Sequence, residues 1–215
     1  MTSRIKAVIF DLDGVLVFTD RYHYLAWKQL ADKLGIAFDV VKNKRLRGVS
    51  RMNSLEIILE GYRERTFSAD EKKALADEKN MIYREYLGTM SEKDVTEDVR
   101  STLIELRRRG YALAVGSSSK NARYILEVTR LTDMFDGISD GTNITKSKPD
   151  PEVFCKAAER IGAQPEECLV VEDAKAGIEA AKSAGMLAAG IGDAADYEGC
   201  DFRLERITDI LKICV

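Results

Sequence analysis

Four short apolar runs limit how this chain can fold: "AVIF" at 7–10, "YALAVG" at 111–116, "CLVVE" at 168–172 and "LAAGIG" at 187–192. Each is too short for a typical helix and lacks the polar alternation of a half-solvated strand. They read as strands buried on both faces, which need helices above and below them. The text between the later runs supplies those helices. "EDVRSTLIELRRRG" at 97–110 puts Val99, Leu103 and Leu106 on one face and ends in Arg and Gly, both favourable at a helix C-terminus. "PDPEVFCKAAERIG" at 149–162 has Pro151 suited to a first turn, and "DAKAGIEAAKSAG" at 173–185 carries small residues that permit close helix-to-sheet packing. This alternation predicts an α/β fold with a doubly wound, Rossmann-like parallel sheet.

Residues 20–90 break the alternation. "DRYHYLAWKQLADKLG", "RMNSLEIILEGY" and "SADEKKALADEKNMIYREYL" all read as helices, the last opening with Ser68 and Glu71 at capping-box spacing. A small α-helical cap inserted after the first strand accounts for them. The expected division is a discontinuous core of 1–16 and 91–215 and a helical cap of 17–90.

Composition narrows the function. With 33 Lys plus Arg against 36 Asp plus Glu, the net charge of −3 gives no basic field for nucleic acid. No apolar run approaches the roughly 18 residues of a membrane span and no leader pattern opens the sequence, so no membrane partner and a cytoplasmic location are expected. Cys155, Cys168, Cys200 and Cys214 form no C-x-x-C pair and read as buried free thiols. A monomer acting on a small molecule is expected.

The chemistry gathers at strand ends, where ligands of open α/β sheets bind. Asp11 and Asp13 follow "AVIF" and, two apart in extended chain, project to one side. Two close carboxylates need a cation, a shared proton or divergent roles, and a hard ion such as Mg²⁺ suits them. D-x-D-G also makes ordinary turns. Glu172 and Asp173 end another buried strand, so four acids can converge. Ser117, Ser118 and Ser119 follow "YALAV" where hydroxyls and backbone N–H groups make an anion site, and Lys148 precedes Pro149. Carboxylates for a cation, with hydroxyls and a lysine for an anion, suit phosphoryl transfer.

In this order the motifs resemble the haloacid dehalogenase superfamily over residues 7 to about 192. The resemblance implies Asp11 as nucleophile, Asp13 as general acid and base, and Ser117 and Lys148 as phosphoryl ligands. It implies Mg²⁺ held by Asp11, the Asp13 backbone carbonyl, Glu172 and Asp173. Dehalogenating members lack the second aspartate, so Asp13 speaks against dehalogenation. Within the superfamily, "YHYLAWKQLADKLGI" and "LRGVSRMNSL" look like the cap of the β-phosphoglucomutases. These interconvert β-glucose 1-phosphate and glucose 6-phosphate through an aspartyl phosphate and glucose 1,6-bisphosphate.

His23 and Trp27, four apart on one helix face, also suit a partly buried core stripe. By resemblance, His23 helps position Asp13, while Trp27, Gly48 and Val49 shape a sugar pocket. The resemblance also implies that Lys120 and Asn121 touch substrate hydroxyls or phosphate, with Thr19 at the hinge. A bisphosphate needs a second anion site; Arg51, with Arg47, Ser50 and Ser54 nearby, offers a guanidinium and hydroxyls, or else a solvated helix end. Phe18, Arg47, Ser118 and Ala174 depart from the usual pattern. The alternatives are a Mg²⁺-dependent sugar-phosphate phosphatase and a non-catalytic phosphosugar-binding protein.

Overall fold

A computed structural model of the chain describes residues 5–46 and 50–215. Its first strand, β1 (Ala7–Phe10), leads into α1 (Asp20–Lys33), α2 (Val40–Lys44), α3 (Arg51–Leu59) and α4 (Ala69–Leu87). Then come α5 (Glu97–Arg108), β2 (Ala112–Gly116), α6 (Ala122–Val128), β3 (Gly137–Ser139), α7 (Glu152–Arg160) and β4 (Cys168–Glu172). The chain closes with α8 (Lys175–Ser183), β5 (Leu187–Gly190), β6 (Phe202–Arg203) and α9 (Ile210–Ile213). It separates into two compact units, Met1–Phe18 with Met90–Val215, and Thr19–Thr89.

In the first unit the described strands form one parallel sheet in the order β3-β2-β1-β4-β5-β6. β1 and β4 are buried along their whole length, as their unbroken apolar sequences require. Side chains alternate across the sheet. Ala7, Ile9, Ala114 and Val170 pack with Val153, Phe154 and Ala157 of α7 and Ile178 and Ala181 of α8. α5 buries Val99, Thr102, Leu103 and Leu106 as one stripe, and Thr96 caps it by accepting the Val99 N–H. β3 and β6, of three and two residues, form the sheet edges and were not expected from the sequence; neither offers enough residues for a pattern.

The order of strands reverses beside β1, whose neighbours are β2 and β4. That makes the β1/β4 crevice the switch point at which such sheets bind ligands. Phe10 pairs with Val171, and the Asp11 N–H donates to the Val171 carbonyl at 2.9 Å. Parallel register thus sets Asp11 beside Glu172, although 161 positions separate them in the chain.

The second unit is helical. Trp27, Leu30 and Ala31 of α1 pack with Phe38, Leu55, Ile58 and Ala76. α4 opens with the Ser68/Glu71 capping box that the sequence predicts. No helix among the described residues is long and apolar enough to cross a membrane. The thiol expectation needs correction at one position. Cys168 and Cys214 are buried and Cys200 is half-buried, but Cys155 is exposed, because α7 turns Val153, Phe154, Ala157 and Ala158 to the sheet and residue 155 away from it.

Candidate active site

The ends of β1, β2 and β4 bring together Asp11, Ser117 and Glu172, all buried. Lys148 reaches them from the loop before α7. Its ammonium donates to Asp11 Oδ1 at 2.5 Å and to Glu172 Oε1, and it lies 4.6 Å from the Phe154 ring centroid. Glu172 Oε2 accepts the Ala174 N–H at 2.9 Å, so both of its oxygens are engaged. Burial works against the Lys148 charge, yet the two carboxylates outweigh it and raise the Lys148 pKa. Burial, together with the neighbouring Glu172 and Asp13, pushes the Asp11 carboxyl well above the usual range despite Lys148.

Two glycines make room for the acids. At Gly14, where φ is +88°, a β-carbon would collide with Asp173 Oδ2, and a β-carbon on Gly177 would collide with Glu172 Oε1. The glycine of D-x-D-G therefore serves both a left-handed backbone and the close approach of the late acidic pair. Asp13 follows Asp11 at the strand end and is half-buried, with a parallel bridge to Val17.

The serine loop after β2 is folded on itself. Ser117 Oγ accepts the Ser119 N–H and Ser119 Oγ accepts the Asn121 N–H, each at 3.2 Å. The Ser118 hydroxyl is buried without a hydrogen-bond partner. Lys120 is exposed, and the buried Asn121 occupies the N-cap position of α6.

The Lys148 ammonium lies between the Asp11 and Glu172 carboxylates, and Asp13 and Asp173 are close enough to act on this group electrostatically, although among the described residues no three acidic, histidine or cysteine side chains are grouped as a metal site. The donors nonetheless fit a hard divalent ion. They are oxygens only, and one ammonium leaves charge unneutralised, since burial and Glu172 push the Asp173 carboxyl up to about 7.

That shift has a measurable sign. An aspartate in the unfolded chain titrates near about 3.9, so the folded protein holds the Asp173 proton more tightly. Its contribution to stability is full below about pH 4 and is lost as pH rises through about 7. A divalent ion favours the ionised carboxylate. Mg²⁺ should therefore raise the melting temperature more at pH 8 than at pH 5.5, relative to chelator. Equal shifts at the two pH values would remove Asp173 from the ligand set.

In the helical unit, Thr19 is buried at the start of α1 and its Oγ1 accepts the Tyr83 hydroxyl at 3.1 Å. His23 stacks on Tyr83 with centroids 4.0 Å apart, and its Nδ1 lies 2.8 Å from Lys79 Nζ. Burial, then Lys79 and Arg51, hold the His23 pKa well below its usual value, so the ring is neutral. Trp27 is buried, with the Lys79 ammonium 4.8 Å from its ring.

Arg51 donates to Asn80 Oδ1 at 2.8 Å, with Asp77 at 3.9 Å, and burial lowers its pKa. Ser50 caps α3 by accepting the Asn53 N–H at 3.3 Å, and Ser54 is buried. Arg47, Gly48 and Val49 lie outside the described residues.

The sequence reading missed Lys79, Asn80 and Tyr83. "ALADEKNMIYREYL" looks like a charged surface helix, yet Ala76, Lys79, Tyr83 and Leu87 share its buried stripe. A lysine on the apolar period was the available signal.

A haloacid dehalogenase-like hydrolase family model matches residues 5–185. A β-phosphoglucomutase of Bacillus subtilis is 40% identical over 206 residues, covering 95% of this chain and 91% of that protein. A phosphorylated carbohydrates phosphatase of Thermotoga maritima is 33% identical, covering 84% and 82%. Among solved structures, the β-phosphoglucomutase of Clostridium difficile superposes with a TM-score of 0.87 at 36% identity, covering 98% of this chain and 97% of that one.

Proposed function

The chain belongs to the haloacid dehalogenase-like hydrolase family, and from that premise we propose that it is a Mg²⁺-dependent β-phosphoglucomutase with Asp11 as nucleophile. The observation that carries the reading is Lys148, whose ammonium joins the carboxylate after β1 to the one at the end of β4. A lysine so placed holds Asp11 in one orientation and offers positive charge where phosphoryl oxygens gather.

In this reading, Asp11 attacks phosphorus while Ser117 and Lys148 bind the phosphoryl oxygens. Asp13 gives a proton to the leaving sugar oxygen, or takes one from the attacking hydroxyl. Asp11, the Asp13 backbone carbonyl, Glu172 and Asp173 would hold Mg²⁺, which supplies further positive charge when bound. Phosphorylated Asp11 donates its phosphoryl group to β-glucose 1-phosphate and, after the resulting glucose 1,6-bisphosphate (intermediate and activator) is released and reoriented, regains one from its other end, leaving glucose 6-phosphate.

The half-buried guanidinium of Arg51 serves the phosphate that is not reacting. The neutral His23 keeps Lys79 as a close neighbour. The test is ³¹P NMR of β-glucose 1-phosphate with protein, Mg²⁺ and a trace of glucose 1,6-bisphosphate. Glucose 6-phosphate should appear without stoichiometric inorganic phosphate. Inorganic phosphate alone would make the protein a sugar-phosphate phosphatase, as its 33% identical relative is described.

Arg51→Ala sharpens the distinction. Mutase turnover should fall by about 10²-fold, the scale of lost substrate positioning, while hydrolysis of acetyl phosphate, which has one phosphate, stays nearly unchanged. An equal fall in both activities would mean damage to the helical unit. No fall in either would leave Arg51 a structural partner of Asn80 within the helical unit.

A further inference from the structure

We infer that Glu152, on the first turn of α7, is a positioning residue that fixes Lys148 by clamping the loop that carries it. The inference rests on the phosphoryl-transfer reading, and it concerns a residue that touches none of the reacting groups.

Thr145, Lys146 and Ser147 are exposed, so burial does not hold this stretch of backbone in place. Such a segment is mobile unless polar ties fix it. Glu152 Oε2 accepts three: the Thr145 N–H at 2.8 Å, the Thr145 hydroxyl at 2.9 Å and the Lys146 N–H at 2.8 Å. Glu152 Oε1 accepts from Lys156 Nζ at 2.6 Å, and Lys156 donates onward to the Asn143 carbonyl at 2.5 Å. One carboxylate thus ties the loop at 145 and 146, and through Lys156 at 143. Lys156 and the two backbone N–H groups hold the Glu152 carboxyl down at about 2, so the clamp is charged at every working pH.

The same helix turn carries Phe154, the ring beneath the Lys148 ammonium. α7 therefore grips both ends of this element: Glu152 takes the backbone two residues before Lys148, and Phe154 takes its side chain. A lysine that must meet Asp11 and the phosphoryl oxygens together tolerates little play, because misplacement by about 1 Å can cost about 10²-fold in rate.

An acid at this position could instead serve only the helix dipole. Glu152→Gln separates the roles, since its carbonyl oxygen still accepts the Thr145 and Lys146 N–H groups while its charge and the acceptor for Lys156 are gone. Glu152→Ala should lower kcat for phosphoryl transfer about 10- to 100-fold with little change in sugar-phosphate KM, whereas Glu152→Gln should stay within about 3-fold of wild type. Binding of inorganic phosphate, measured by calorimetry, should stay within about 3-fold of wild type in both variants, in keeping with the unchanged KM. Melting temperatures report folding independently. If Ala and Gln variants lose activity equally, or neither does, or activity falls only with the folded fraction, the positioning role is overturned. If wild type neither transfers phosphoryl groups nor binds phosphate, the underlying reading fails and this inference with it.

Discussion

Asp11→Asn should abolish phosphoenzyme formation, lowering turnover by at least about 10⁴-fold, because an amide oxygen is a poor nucleophile. The variant should fold as well as wild type or better. Burial and the adjacent Glu172 and Asp13 make the Asp11 charge unfavourable in the folded state, and Lys148 keeps its contact with Glu172 when Asp11 is replaced by a neutral amide. Functional sites often hold such groups at the expense of stability. Intact-mass spectrometry after acetyl phosphate treatment, with a thermal melt, checks both halves. Phosphorylation of the Asp11→Asn variant would remove Asp11 as the nucleophile; a melting temperature many degrees lower would mean that the carboxylate is structural.

Lys148→Ala should damage activity and stability together. It leaves Asp11 and Glu172 buried without the ammonium between them, and breaking a buried ion pair from one side costs about 3–5 kcal/mol. For a domain of this size that is roughly a 6–20 °C drop in melting temperature. Both mutase turnover and acetyl phosphate hydrolysis should fall, in contrast to Arg51→Ala. Chemical denaturation and the two assays on one preparation decide it. A variant as stable as wild type would mean that water replaces the ammonium at no cost, and unchanged hydrolysis would remove Lys148 from the phosphoryl site.

These residues show how unevenly the molecule could be read in advance. Fully buried parallel strands have to be continuously apolar, so β1, β2, β4 and β5 could be recognised as segments, and the acids at two of their ends as candidates. The insertion of helices after β1 was legible for a related reason, since amphipathic periodicity and the Ser68/Glu71 cap are local properties. Edge strands β3 and β6 were not, because two or three residues carry no period and are specified by the neighbour they pair with. Lys79 was hidden by its charged neighbours, although its place on the stripe of Tyr83 and Leu87 marked it as buried.

Local chemistry in the sequence was sufficient for the alternation of buried strand and helix, the inserted helices and the residue types suited to phosphoryl transfer, because each depends on a few adjacent residues. Which acids meet was decided elsewhere. Strand order and parallel register put Asp11 beside Glu172, and the ties from Glu152 deliver Lys148 between them. Only the folded chain makes that choice, because contacts between residues 24 to 161 positions apart are set by packing and pairing that no local pattern encodes.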